Sequence, residues 1–157
     1  NARGSYTTQN GTPSIYYHIK IKNKRERALS KHVEILCTDI SRRAPDGSFK
    51  PEPLGAPVQL TWAYSHQELF LNIHSEKICD IGHINKSNRK FLLSLYRYPN
   101  NFRGWIKANM AMRISLKAFA ENFTSKSPYI LEISYDGEWS DDREEMQKHL
   151  VIKEIEE

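Results

Sequence analysis

The stretch MRISLKA, residues 112–118, decides the fold class of this chain. Apolar Met112, Ile114 and Leu116 alternate with polar residues at every second position. Because successive side chains of a β-strand point to opposite faces, this alternation predicts a strand with one buried face. The stretch YILEISY, residues 129–135, shows the same alternation and predicts a second strand of the same kind.

Shorter alternating stretches extend this pattern along the chain. Further strands are predicted at residues 15–22, 32–40, 58–62, 69–73, 77–84, 91–95 and 150–155. Residues 91–96 fit a short helix equally well, and a loop containing an Asp46-Gly47 turn is expected over 41–57. Ser140, followed by acidic residues, predicts the start of one short helix near 140–148. Seven to nine short strands indicate an all-β sandwich or barrel.

Length and composition are those of one ordinary globular domain. The chain has 157 residues, of which 39% are hydrophobic and 27% are charged. Two cysteines exclude a disulfide scaffold, and no apolar run reaches the 18 or so residues of a membrane span. Asn1-Ala2 is typical of a tag remnant, so residues 1–14 are expected to be that remnant and a flexible lead-in, before a single domain at 15–157.

Charge is distributed unevenly along the sequence. Residues 1–131 carry 20 Lys and Arg against 9 Asp and Glu, whereas residues 132–157, the acidic segment, carry 3 against 10. The formal net charge is +4. A basic body with an acidic end either neutralises itself within the fold or leaves positive charge available for a polyanion.

The densest group of positive charge, here called the basic cluster, begins on the predicted strand 15–22 and continues on the turn after it. Its members are Lys20, Lys22, Lys24, Arg25, Arg27 and Lys31. This cluster is the candidate site for an anion, a nucleotide or nucleic acid, with Tyr16, Tyr96 and Tyr98 as possible stacking surfaces. The other interpretation is a solvated strand face and turn whose lysines protect a sheet edge from pairing.

The spacing of the His, Cys and acidic residues along the sequence does not match a known catalytic or metal-binding motif. His74, Cys79 and His83 are too widely separated along a strand to chelate one ion, and the acidic turn at 136–142 lacks the spacing of a calcium loop. No nucleophile elbow, zinc-protease motif or phosphate loop is present. We therefore expect a non-enzyme without a cofactor or metal, in which Cys37 and Cys79 are free thiols or, alternatively, a disulfide.

One segment carries a resemblance to a known family. Residues 19–36 read IKIKNKRERALSKHVEIL, in which an apolar strand ends at Asn23 and a second strand starts near Ser30. This resembles bacterial immunoglobulin-like repeats, where an Asn or Gly ends the first strand and a small residue, here Ser30 or Ala28, packs under the crossing loop. The resemblance implies an immunoglobulin-like β-sandwich and says nothing about ligands.

The C-terminal part carries a second resemblance. Residues 131–155 look like the end of uncharacterised bacterial proteins in which a β-rich domain follows membrane helices. The resemblance implies the soluble domain of a larger membrane-anchored protein, with any membrane contact made through a segment outside this sequence. A cytoplasmic location, at the cytoplasmic face of a membrane, is expected.

These observations predict a non-catalytic recognition module for a protein partner or a small anionic ligand. The alternative is a nucleotide or nucleic-acid sensor that uses the basic cluster.

Overall fold

A computed structural model describes residues 3–9, 11–25 and 27–156, with side chains from Gly11 onward. Across these residues the chain forms thirteen strands and one helix, arranged as two antiparallel sheets in a β-sandwich. The predicted all-β class and the single short helix are therefore confirmed.

The first sheet has five strands in the order β1-β2-β7-β8-β9. They are β1 (Arg3–Gln9), β2 (Thr12–Lys22), β7 (Glu76–Asn85), β8 (Phe91–Leu93) and β9 (Trp105–Ile106). Strands β2 and β7 form its longest pair, from Ser14 opposite Asn85 to Lys22 opposite Glu76, with a bulge after Tyr17. The basic cluster therefore begins on the final residues of β2.

The second sheet has the order β13-β12-β10-β3-β4, and three short strands join it at the side. The main strands are β3 (Ser30–Arg43), β4 (Phe49–Glu52), β10 (Met110–Ala120), β12 (Tyr129–Tyr135) and β13 (Leu150–Ile155). The short strands are β5 (Val58–Gln59) and β6 (Leu71–Ile73), which pair with β3, and β11 (Phe123–Thr124), which pairs with β10. Helix α1 (Arg143–His149) connects β12 to β13.

The core lies between the sheets and is closed by a crossing segment at residues 59–63. Leu60 N–H donates to Ile35 O of the second sheet, and Thr61 O accepts from Asp80 N of the first. Trp62, within this segment, is fully buried. Because the segment hydrogen-bonds to both sheets, it connects them across the core.

Several boundaries differ from those the sequence predicts. Residues 3–9 form β1 instead of belonging to a flexible lead-in, because a turn at Gly11, with φ of 77°, folds them back onto β2. Asn1-Ala2, the predicted tag remnant, lies outside the described residues. The strand count exceeds the predicted nine because the structure adds β1, β4, β9 and β11. Strand β4 lies within the predicted loop 41–57 and pairs with β3, while β9 and β11 have only two residues each, too few for an alternation to show.

Two local predictions are also corrected or resolved. The helix is capped by Asp142, whose side chain accepts from Glu145 N–H at 2.9 Å, and not by Ser140. The Ser140 hydroxyl oxygen instead accepts a hydrogen bond from the N–H of Asp142, two residues later in the sequence. Residues 91–93 form a strand, not a helix, because they pair with both β7 and β9.

Candidate anion-binding site

The turn between β2 and β3 is fixed by one side chain, that of Asn23. Its amide nitrogen donates to Ala28 O at 2.6 Å and to Ile73 O at 3.0 Å, and its oxygen accepts from Arg25 N–H at 2.9 Å. These bonds tie the turn to β6 and hold the chain where the basic residues leave the strand. The predicted end of the strand at Asn23 is thus confirmed, and its physical reason is this set of bonds.

A cavity of about 530 Å³ opens beside this turn, and we call it the entrance pocket. Its apolar floor comes from strands of both sheets and includes Ile21, Val33, Ile73 and Ala120. Four exposed cations surround it, Lys22, Lys24, Arg25 and Lys31, here called the entrance cations. A volume of this size is in the range of small-molecule sites.

The far wall of the entrance pocket is the tip of the β10–β11 hairpin. Glu121 N–H donates to Lys31 O at 3.0 Å, which joins this tip to the start of β3. Phe123 follows on the hairpin with 52% of its surface exposed, and it lines the pocket. An aromatic ring and an apolar floor therefore lie directly beside the entrance cations.

A second cavity of about 360 Å³, the seam cavity, continues from the entrance pocket between β2 and β10. The two cavities share Ile21, Lys22 and Ala118. The seam cavity adds apolar surface from Ile19, Leu116 and Tyr129 and the lysines Lys20 and Lys117.

The six residues of the basic cluster thus divide into three groups. Lys22, Lys24, Arg25 and Lys31 surround the entrance pocket, while Lys20 lines the seam cavity and pairs with Glu76 at 3.3 Å. Arg27 is exposed on the turn and lies outside both sets of lining residues. The structure therefore brings five of the six together along one groove.

The entrance cations have no ion-pair partner among the residues that the structure describes. Within the described ranges, Lys22, Lys24, Arg25 and Lys31 form no ion pair, and Glu121 is the only carboxylate residue lining the entrance pocket. Positive charge above an apolar floor attracts an anion that also has apolar surface. The sequence identified the cations, but it gave no indication of the floor, which comes from β3, β6 and β10.

The predicted stacking tyrosines do not contribute to this site. The Tyr16 ring stacks on His83 with centroids 4.9 Å apart, and Tyr98 donates a hydrogen bond to Leu93 O. An aromatic face is available instead at Phe123, which the sequence analysis did not identify because no pattern marks residues 121–125 as a hairpin tip.

A second polar cluster surrounds the buried side chain of Asp80. Its carboxylate lies 2.5 Å from His18 Nδ1 and 3.7 Å from His66 Nδ1. Burial lowers the pKa of the neighbouring His83, although the charge of Asp80 acts in the opposite direction. This cluster joins β2, β7 and the 63–70 loop, and Asp80 does not line either of the two cavities described above.

Cations also gather at Trp105 on β9. Lys90 Nζ lies 4.4 Å and Lys107 Nζ lies 5.1 Å from the ring centroid, and Arg42 donates to Trp105 O at 2.7 Å. Arg42 is paired with Glu52 in the same place. Trp105 itself is half-buried, and these cations are its partners.

The two cysteines are buried free thiols and not a disulfide. Burial, reinforced by the nearby charge of Asp39, raises the pKa of Cys37 to about 12, and burial also raises the pKa of Cys79. Both groups stay protonated at neutral pH, which makes them poor nucleophiles and poor metal ligands. Among the residues described, no group of three His, Cys, Asp or Glu side chains is arranged to hold a metal ion.

The acidic turn at 136–142 is occupied by local bonds. Asp136 pairs with His149 at 2.7 Å, Asp141 pairs with Lys86 at 2.8 Å, and Asp142 caps α1. Three carboxylates of this turn, Asp136, Asp141 and Asp142, therefore have structural partners.

Comparison with known proteins gives no relative to draw on: no protein family, curated protein or solved structure matches the chain. The immunoglobulin-like and bacterial assignments thus stay predictions from the sequence, while the two-sheet antiparallel architecture stands on the structure. Within the described ranges, no helix has the length and apolar character needed to cross a membrane.

Proposed function

We propose that this chain is a non-catalytic recognition module that binds a small anionic ligand in the entrance pocket. One observation carries the proposal. Four exposed cations without ion pairs in the described structure surround an apolar cavity of about 530 Å³. The cations supply attraction for a negative group and the floor supplies contact area, which is the usual composition of a small-molecule site.

The anilinonaphthalene sulfonate ANS is a suitable probe because it joins one sulfonate to an apolar ring system. We expect its fluorescence to rise on binding the folded protein, with a dissociation constant that increases several-fold between 50 and 200 mM salt as the charges are screened. The variant carrying both Lys22→Glu and Arg25→Glu should bind at least about 30-fold more weakly, a loss of about 2 kcal/mol.

Thermal unfolding monitored by circular dichroism is the control, since ANS also binds partly unfolded protein. A variant that unfolds at the wild-type temperature and still binds ANS with unchanged affinity would show that the entrance cations are not the site. Binding that is insensitive to salt would show the same.

The wider assignment rests on the resemblance of residues 19–36 to bacterial immunoglobulin-like repeats. It is supported by the end of β2 at Asn23 and by the two antiparallel sheets. On this basis we place the module in the soluble part of a larger bacterial membrane-anchored protein, on the cytoplasmic side, where it recognises a protein partner or a small anion.

The second candidate function, a nucleotide or nucleic-acid sensor, is favoured by the exposed Phe123 ring beside the entrance cations. An exposed aromatic ring in a basic groove is a stacking surface for a base. Fluorescence polarisation with labelled single-stranded DNA, RNA and cyclic dinucleotides tests this candidate. If about four phosphates are contacted, affinity for a single strand should fall about 50-fold between 50 and 200 mM salt. Absence of binding at 50 mM salt would remove the candidate.

A further inference from the structure

The entrance pocket and the seam cavity form one groove, because they share Ile21, Lys22 and Ala118. The groove follows the seam between β2 of the first sheet and β10 of the second. Its charged residues lie along its rim, and most of the surface beneath them is apolar. An elongated cavity of this kind suits an elongated ligand.

The groove exists because the inward face of β10 changes from large to small side chains. Met112, Ile114 and Leu116 are buried and fill the space between the sheets. Ala118 and Ala120, next on the same face, are only partly buried and leave the space beside β2 open. The sandwich is therefore filled at one end of β10 and open at the end beside the entrance cations.

We infer that the ligand of this groove is a medium-chain fatty acid. This inference deepens the proposed function and rests on it. The carboxylate would lie among Lys22, Lys24 and Arg25, where it meets uncompensated positive charge. The alkyl chain would extend past Ala118 into the seam cavity, against Ile19 and Leu116. Charge complementarity at one end and an apolar channel at the other select an amphiphile over a compact polar anion.

The length of the groove sets the length of the chain. From Leu116 to Ala120, β10 advances by about 13 Å at about 3.3 Å per residue. An extended alkyl chain advances about 1.3 Å per carbon, given a carbon–carbon bond of about 1.5 Å. About ten carbons therefore fit within the groove, and shorter chains leave part of it empty.

The test is a series of acetate, octanoate, dodecanoate and hexadecanoate, titrated by calorimetry below the concentrations at which they aggregate. Dodecanoate should bind at least about 10-fold more tightly than octanoate, because each buried methylene adds favourable transfer free energy. Dodecanol, which has the chain without the charge, should bind at least about 10-fold more weakly than dodecanoate.

A variant that fills the groove provides the structural arm. Ala118→Leu places a larger side chain where the two cavities join, and it should weaken dodecanoate binding at least about 10-fold and ANS binding by a smaller factor, because ANS needs only the entrance pocket. Ala56→Leu, at an exposed loop position, is the matched control and should change neither. Ala118→Val makes the same test with less added volume if Ala118→Leu does not fold.

The outcomes separate this inference from the proposed function. Affinity that is independent of chain length, with ANS binding still dependent on Lys22 and Arg25, would overturn the fatty-acid inference and leave the anion site in place. Failure of both ANS and the fatty acids to bind would overturn the proposed function. Equal binding of dodecanoate by Ala118→Leu and the wild type would show that the chain does not occupy the groove.

Discussion

The acidic segment and the entrance cations differ in whether their charged side chains form ion pairs. In the acidic segment, Asp136 pairs with His149, Asp141 with Lys86, and Glu145 with Lys148. The entrance cations form no ion pair with any described residue. These three carboxylates of the acidic segment thus have cationic partners of their own, and none of those partners is an entrance cation.

This difference separates structural charge from charge that remains available for a ligand. Glu132 shows the structural kind, with Arg113 Nε at 2.8 Å and Lys153 Nζ at 3.2 Å. Partial burial pushes the pKa of Glu132 upward, but the hydrogen bonds from Arg113 and Lys153 outweigh it and hold the pKa below its ordinary value. Charges of this kind stabilise the sheet, whereas those at the groove are available to an outside partner.

The largest effect on ligand binding is expected from reversing the charge of Arg25, with Arg27 on the same turn as the control. Arg25→Glu should weaken ANS binding at least about 10-fold, since the residue lines the entrance pocket and the change reverses its charge. Arg27→Glu makes the same change of charge outside the lining and should alter binding less than about 3-fold. Fluorescence titration measures both, and equal losses would mean that net charge, not position, governs binding.

The second prediction concerns the paired carboxylate in the sheet. Glu132→Gln should lower the free energy of unfolding at pH 7 by about 1 to 2 kcal/mol, because Arg113 and Lys153 lose their charged acceptor. Its effect on ANS affinity should be negligible. Urea unfolding checks the first value, and an unchanged midpoint would show that the pair is not structural.

The pH dependence of that loss has a definite sign. Because the pKa of Glu132 is lowered in the folded protein, its contribution is present above the unfolded value of about 4.3 and is lost as the pH falls through the folded value. The difference between wild type and Glu132→Gln should therefore be constant from pH 7 to 5.5 and shrink toward pH 3. A difference that grew on acidification would contradict this assignment.

A smaller loss is expected at the helix cap. Asp142→Ala should cost about 1 kcal/mol of stability, because Glu145 N–H at the start of α1 loses its acceptor. Asp142→Asn retains an acceptor oxygen and should recover most of the loss. Thermal unfolding of the two variants measures it, and equal destabilisation by both would indicate that charge at the helix end matters more than the cap.

The smallest effect belongs to the exposed pair of Asp141 and Lys86. The Asp141 carboxylate accepts hydrogen bonds from Lys86 and Trp139, and these bonds hold the pKa of Asp141 below its ordinary value. The carboxylate is nevertheless exposed. Exposed pairs contribute little, so Asp141→Asn should leave the midpoint of urea unfolding unchanged within the error of the measurement. A clear fall in the midpoint would show that Asp141 has a larger structural role than its exposure indicates.

The sequence predicted the elements whose alternation is long enough to read. Residues 112–118 and 129–135 lie within β10 and β12, and their buried faces are the predicted ones. Strands β9 and β11 were missed because two residues carry no period, and β4 was missed because its short polar stretch with a proline also suits a loop. The first strand was missed because its small polar residues also suit a loop, and only its pairing with β2 marks it as a strand.

The sequence was enough to predict the charged residues of the candidate site, but it did not predict the shape of the cavity. Six cations close together in the sequence identify a basic turn, and five of them line the groove. The floor depends on Val33, Ile73 and Ala120, which lie far apart along the chain. Ala118 and Ala120 read in the sequence only as small residues of a strand, and their effect becomes visible when β2 is placed opposite them.

The most direct measurement is an amide nitrogen–proton NMR titration of the folded protein with dodecanoate. If dodecanoate binds in the groove, the amide signals that shift should be concentrated at residues 21–25, 29–33 and 116–123, and the signals of residues 136–149 should not move. Shifts concentrated in the acidic segment, or no shifts at millimolar dodecanoate, would contradict the claim that the groove between β2 and β10 is the ligand site.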